Sequence, residues 1–156
     1  MKPNAKAIIV ATLVSGTLDI LFAVLLTLLY GREPAAMLRY VASGLFPAAA
    51  EWGAAGSLLG LLVHFALMAV MATALVLLVR WRPILLDTPL RTGLAYGLLT
   101  YVLMNWLVVP LRFGTPLPPS TLSITTQLFA HMVLVGIPMT LVAKRLLGGA
   151  PENSCE

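Results

Sequence analysis

The run from Ala7 to Tyr30 is almost wholly apolar, yet it carries an aspartate, Asp19, near its middle. About 20 mostly apolar residues suffice to cross a bilayer as a helix, so this run is long enough to span one. A carboxyl group at that depth costs roughly 2.5–3.5 kcal/mol even on the lenient insertion scale. It must face protein, water or a partner, and the rest of the chain has to supply that environment.

Three further apolar runs are available to do so, at about 54–79, 90–110 and 122–145. The 156 residues are 60% hydrophobic and only 10% charged, whereas soluble domains sit near 45–50% and about 25%. The pattern predicts an all-α integral membrane protein, a four-helix bundle forming a single membrane domain over residues 1–156. No length remains for a separate soluble domain. The net charge of +4 is dispersed along the chain and reads as a topology signal rather than a nucleic-acid surface. The lipid bilayer is the expected partner, and a homo-oligomer is open. The basic, then apolar, N-terminus is expected to be a retained first helix, because the run is too long for a signal peptide and lacks a small-residue cleavage site. Cys155, the one cysteine, falls on a tail, residues 148–156, expected to be disordered.

Between the first two runs, Pro34 suits the first turn of a short helix. Met37, Leu38, Val41 and Leu45 then recur at helical spacing, and Gly44 and Pro47 interrupt the pattern. Residues 34–45 are too few and too polar to span, so an interfacial or re-entrant helix is expected. Trp52 and Trp81 bracket the second run as interfacial indoles do. Thr88-Pro89 suits a helix start, and Ser120 or Thr121 suits the next. The third run is expected to close at Pro110, with a proline-rich loop from Arg112 to Pro119. Pro138 should bend the fourth run by freeing the carbonyl of Leu134.

Seven Lys and Arg residues lie on one side of these spans (Lys2, Lys6, Arg80, Arg82, Arg91, Lys144, Arg145), and Arg32, Arg39 and Arg112 on the other. The positive-inside rule then places both termini in the cytoplasm, with the 34–45 helix outside. At 1.5 Å per residue, Asp19 lies about 16 Å below the outer end of the first helix and His131 about 14 Å below that of the fourth. His64 lies about 10–15 Å and Asn105 about 8 Å below theirs. One polar residue from each span therefore falls in a single layer. Thr12, Ser15 and Asp19 share a face of the first helix beside Gly16; Gly60, His64, Met68 and Met71 share one on the second, and Tyr101, Asn105 and Arg112 on the third. Gln127 and His131 stand one turn apart and can hydrogen-bond. Gly56 with Gly60, and Gly93 with Gly97, are spaced to let helices approach closely.

The layer Asp19, His64, Asn105, His131, Gln127 and Tyr101 admits several readings. It can be structural, since interhelical hydrogen bonds fix register and rotation. It can be a small-ligand or proton site, even a small proton-coupled transporter, because a buried carboxyl beside an imidazole can titrate in the physiological range. No cofactor is required. A haem b held axially by His64 and His131 is an alternative, and copper at His64 with Met68 and Met71 is chemically sensible. Nothing calls for an enzyme: no phosphate-cradling glycine loop, zinc signature or serine elbow occurs.

Gly93-Leu94-Ala95-Tyr96-Gly97 through Asn105 to Pro110, then Phe129-Ala130-His131-Met132 and Lys144-Arg145, resemble the YagU-like family of small bacterial inner-membrane proteins. Val41-Ala42-Ser43-Gly44-Leu45 and Leu61-Leu62-Val63-His64-Phe65 also look like small four-helix membrane proteins. The resemblance implies an inner-membrane location and a link to acid tolerance, and it supplies no catalytic residues.

Overall fold

The computed structural model describes residues 2–148. Cys155 and all but the first residue of the expected tail lie outside them. The described residues are helical with no strand. Four helices are long and apolar enough to cross a membrane: α1 (Pro3–Leu29), α3 (Gly53–Trp81), α4 (Pro89–Phe113) and α5 (Thr121–Leu147). A fifth, α2 (Pro34–Ser43), follows α1. Short 3-10 turns at Pro47–Glu51 and Pro83–Leu86 join α2 to α3 and α3 to α4.

The ends follow local chemistry. Prolines stand in the first turns of α1, α2 and α4, where a missing N–H costs nothing. Gly31, just past α1, takes φ 64, the left-handed backbone that glycine tolerates. Ser120 caps α5 by accepting the N–H of Ser123 at 3.2 Å.

The faces of α1 are inverted relative to a water-soluble helix. On α1 the buried residues are Ala7, Ala11, Thr12, Ser15 and Gly16, whereas Leu13 and Leu21 are 55% and 59% exposed. Small and polar side chains meet inside, and leucine faces outward, as packing in lipid demands. In water so large an apolar surface would aggregate.

α1 packs against α3 and α5, α4 against α5, and α2 against α3. The glycine pairs divide between two partners. Gly93 and Gly97 of α4 lie against the α5 backbone at Gly136–Ile137 and His131–Met132. Gly56 and Gly60 of α3 have a different nearest neighbour. Gly60 receives the backbone of Leu38 in α2, and Gly56 that of Ala49 in the turn after it. α2 therefore crosses α3 about 10 Å along the axis from its first residue.

The prolines inside the third and fourth runs, Pro110 and Pro138, each follow an irregular turn. α4 does not close at Pro110; it continues to Phe113, so Arg112 and Phe113 are helical and the loop begins at Gly114. α5 is wound as a π-helix over Ala130–Gly136, and α4 over Leu103–Val108. Each π segment ends two residues before a proline, Pro110 or Pro138. A proline cannot donate to the carbonyl four residues back and collides with it in an α-helix. Those carbonyls, on Trp106 and Leu134, belong to the π segments, whose wider turn accommodates the ring without ending the helix.

Candidate functional site

The sequence layer converges on one cavity. Asp19, His64, Asn105, Gln127 and His131 all line a space of about 290 Å³. Met68, Met71 and Met104 supply much of its apolar wall, and α2 closes one side through Tyr40, Val41 and Gly44. Tyr101 is buried but does not line it.

Asp19 and His64 face each other. The Asp19 Oδ2 to His64 Nδ1 separation is 3.9 Å, and the two side chains are 20% and 10% exposed. His64 Nε2 lies 2.9 Å from the carbonyl oxygen of Gly16. A carbonyl can only accept, so Nε2 carries a hydrogen. Nδ1 is left to confront the carboxyl. The α1 backbone at Gly16 thus sets the orientation of the ring on α3. Glycine permits that approach, since a Cβ there would meet the Phe65 ring at 2.7 Å.

His131 is held differently. Its Nδ1 lies 3.2 Å from Thr100 Oγ1, which itself donates to the Gly97 carbonyl at 2.9 Å. The threonine hydrogen is thereby used, so the imidazole donates from Nδ1. Nε2 then accepts from Asn105 Nδ2 at 3.4 Å, and Asn105 also donates to the Tyr101 carbonyl at 3.3 Å. This gives a directed chain from Asn105 through a neutral His131 to Thr100 and Gly97. Both ring nitrogens are engaged, so axial ligation of haem iron would require breaking one of these bonds. On His64, Nδ1 alone is unengaged, and it points at Asp19. No group of three or more His, Cys, Asp or Glu side chains forms a metal-binding cluster among the described residues.

Gln127 makes no hydrogen bond to His131. The expected one-turn contact assumed α-helical spacing, but His131 lies in the π segment and turns towards α4. Gln127 instead lines both the cavity and a second hollow of about 490 Å³ between the end of α1 and the start of α5, beside Tyr30, Arg32 and Ser120. It is the one side chain shared by the two spaces.

Thr100, Trp106 and Phe113 were not read from the sequence as contributors, whereas Arg112, Ser15 and Thr12 were placed on the polar faces of their helices. Thr100 orients His131. Trp106 Nε1 donates to the Tyr101 hydroxyl at 3.1 Å, a five-residue contact that a π turn permits and an α-helix does not. Arg112 closes one side, with its guanidinium donating to the carbonyls of Gly44 at 2.5 Å and Ser43 at 3.0 Å. It caps the C-terminus of α2, where a cation also suits the helix dipole. Phe113 stacks on Tyr40 at 4.3 Å. The prolines at 110 and 138, inside apolar runs, were the sequence signal for the irregular turns. Ser15 donates to the carbonyl of Val135 in the α5 π segment at 3.3 Å. Thr12 Oγ1 is buried without a partner.

No protein-family model, curated protein or solved structure matches this chain.

Proposed function

We propose that this is a bacterial inner-membrane protein, a four-helix bundle with cytoplasmic termini, whose outer-half cavity binds a small ligand in exchange with a proton held by Asp19 and His64. The observation that carries the reading is the 3.9 Å approach of Asp19 to the bare Nδ1 of His64 on a cavity wall. Two charge-neutral arrangements place one proton between them, as carboxylic acid facing imidazole or as carboxylate facing imidazolium. A carboxylate facing a lone pair is repulsive, so removing that proton is coupled to any cation or hydrogen-bond donor that enters. Structural hydrogen bonding alone would be served by asparagine and needs no ionisable group.

The two histidines divide the work. His131, fully engaged, fixes the π segments of α4 and α5, and His64 handles the proton. Gln127 stands between the cavity and the outer hollow and marks the route of entry. The cavity approaches the lower end of the range of small-molecule sites and is walled chiefly by apolar side chains. Its occupant is therefore a small, mainly apolar molecule with one polar group. α2 acts as a re-entrant lid element clamped by Arg112 and seated on Gly60. The YagU-like resemblance adds acid tolerance as the physiological setting.

The test is survival of acid challenge by bacteria expressing the wild type or Asp19→Asn at equal membrane levels. The substitution keeps shape and removes the ionisable group. Wild-type expression should protect and Asp19→Asn should not; equal survival with equal levels would overturn the proton reading.

A further inference from the structure

At the end of the molecule opposite the polar cavity, the ends of α1, α3 and α5 surround a hollow of about 720 Å³. Lys2, Arg80 and Arg145 line it. None has a carboxylate within 4.0 Å among the described residues, whose ion pairs, Glu33 with Arg39 and Asp19 with His64, lie elsewhere in the molecule. Asp87, on the nearby connection, does not line the hollow. A second source of positive potential adds to the side chains. Pro3 and Asn4, the first turn of the 27-residue α1, form part of the wall. That helix start has no side-chain cap and no acidic residue in its first turn. Its unpaired N–H groups and dipole therefore point their positive end at the hollow.

The rest of the lining is of opposite character: Val79 and Leu86 are buried, and Leu146 and Leu147 are also apolar. Cations and apolar side chains around one hollow match one molecule in two parts: a phosphate headgroup and the start of its acyl chains. A free anion would use the cations and leave the apolar lining unmatched. We infer that this hollow binds the headgroup of an anionic glycerophospholipid, with Lys2, Arg80 and Arg145 around the phosphate. Basic recesses between the ends of spanning helices are suited to such lipids. The site is separate from the polar cavity and does not depend on what that cavity binds.

Trp81, 73% exposed and adjoining Arg80, is the natural reporter. The full chain carrying Trp52→Phe and Trp106→Phe is placed in vesicles of brominated phosphatidylglycerol or brominated phosphatidylcholine at equal mole fraction. Quenching of Trp81 should favour phosphatidylglycerol, and Arg80→Gln or Arg145→Gln should each lower that preference about five-fold. Inorganic phosphate at millimolar concentration should not compete. As a readout free of tryptophan changes, native mass spectrometry of the wild-type chain should retain one phosphatidylglycerol, lost in the Arg80→Gln/Arg145→Gln variant. Equal quenching by the two lipids, a preference indifferent to both arginines, or displacement by phosphate alone would overturn the assignment.

Discussion

Replacing Gly97 with alanine sets two effects of opposite sign against each other. In an isolated helix, Gly→Ala stabilises by roughly 0.5–1 kcal/mol, because glycine loses more backbone freedom on ordering. Here a Cβ at position 97 would land on the carbonyl oxygen of His131 and close to the Cα of Met132. Both are backbone atoms, so no rotamer change can relieve the clash and α4 must move away from α5. Overpacking of this kind costs about 1–3 kcal/mol. Separation also stretches the Thr100–His131 and Asn105–His131 bonds, each contributing about 0.6–2 kcal/mol in a membrane. Packing wins, and the net expectation is a loss of about 2 kcal/mol. Gly16→Ala is the matched control: its Cβ would meet only side chains, the Phe65 ring and Met68 Cγ, which can swing aside, and the loss should stay below about 1 kcal/mol. Reversible unfolding in mixed micelles, followed by circular dichroism, measures both. A Gly97→Ala protein as stable as wild type, or less affected than Gly16→Ala, would refute the close backbone contact.

Thr12→Val replaces a buried hydroxyl that has no partner with a methyl of the same shape, and should stabilise the protein by about 1 kcal/mol in the same unfolding assay. Arg112→Gln removes the clamp on the end of α2; because the guanidinium is exposed, the loss is about 1 kcal/mol, read as roughly five-fold faster amide exchange confined to residues 34–45. Burial raises the pKa of the Tyr40 phenol on α2 above its ordinary value. The folded state therefore holds that proton more tightly than the unfolded chain, and the stability this gives at neutral pH is lost as pH rises through and above about 10. Tyr40→Phe should blunt that alkaline loss and leave the unfolding midpoint between pH 6 and 8 without added pH dependence.

The spans were legible because length and hydropathy suffice to define them, and the depth of Asp19, His64, Asn105 and His131 followed from counting residues along each axis. Which of them touch was not legible, because contact depends on rotation about that axis, and a π turn alters rotation by a residue. The pairing of Gln127 with His131 failed for that reason, and Trp106 was overlooked because five-residue contacts do not occur on an α-helix. The stripe at Gly56 and Gly60 correctly signalled a close approach. Its partners, the backbones of α2 and of the turn after it, could not be read from a pattern that any close backbone contact shares. Pro110 was read as a stop because proline ends helices more often than π turns absorb it.

Asp19 and His64 confront each other across the cavity, and solid-state NMR can measure that distance in the bilayer. A 3.9 Å contact at the carboxyl oxygen, extended by one carbon–oxygen bond of about 1.2 Å, puts the carboxyl carbon at most about 5 Å from Nδ1. Dipolar recoupling between the ¹³C-labelled carboxyl of Asp19 and ¹⁵N-labelled histidine should show that coupling, and it should vanish in His64→Gln and persist in His131→Gln. Absence of any coupling in the wild type, or its survival in His64→Gln, would contradict the account.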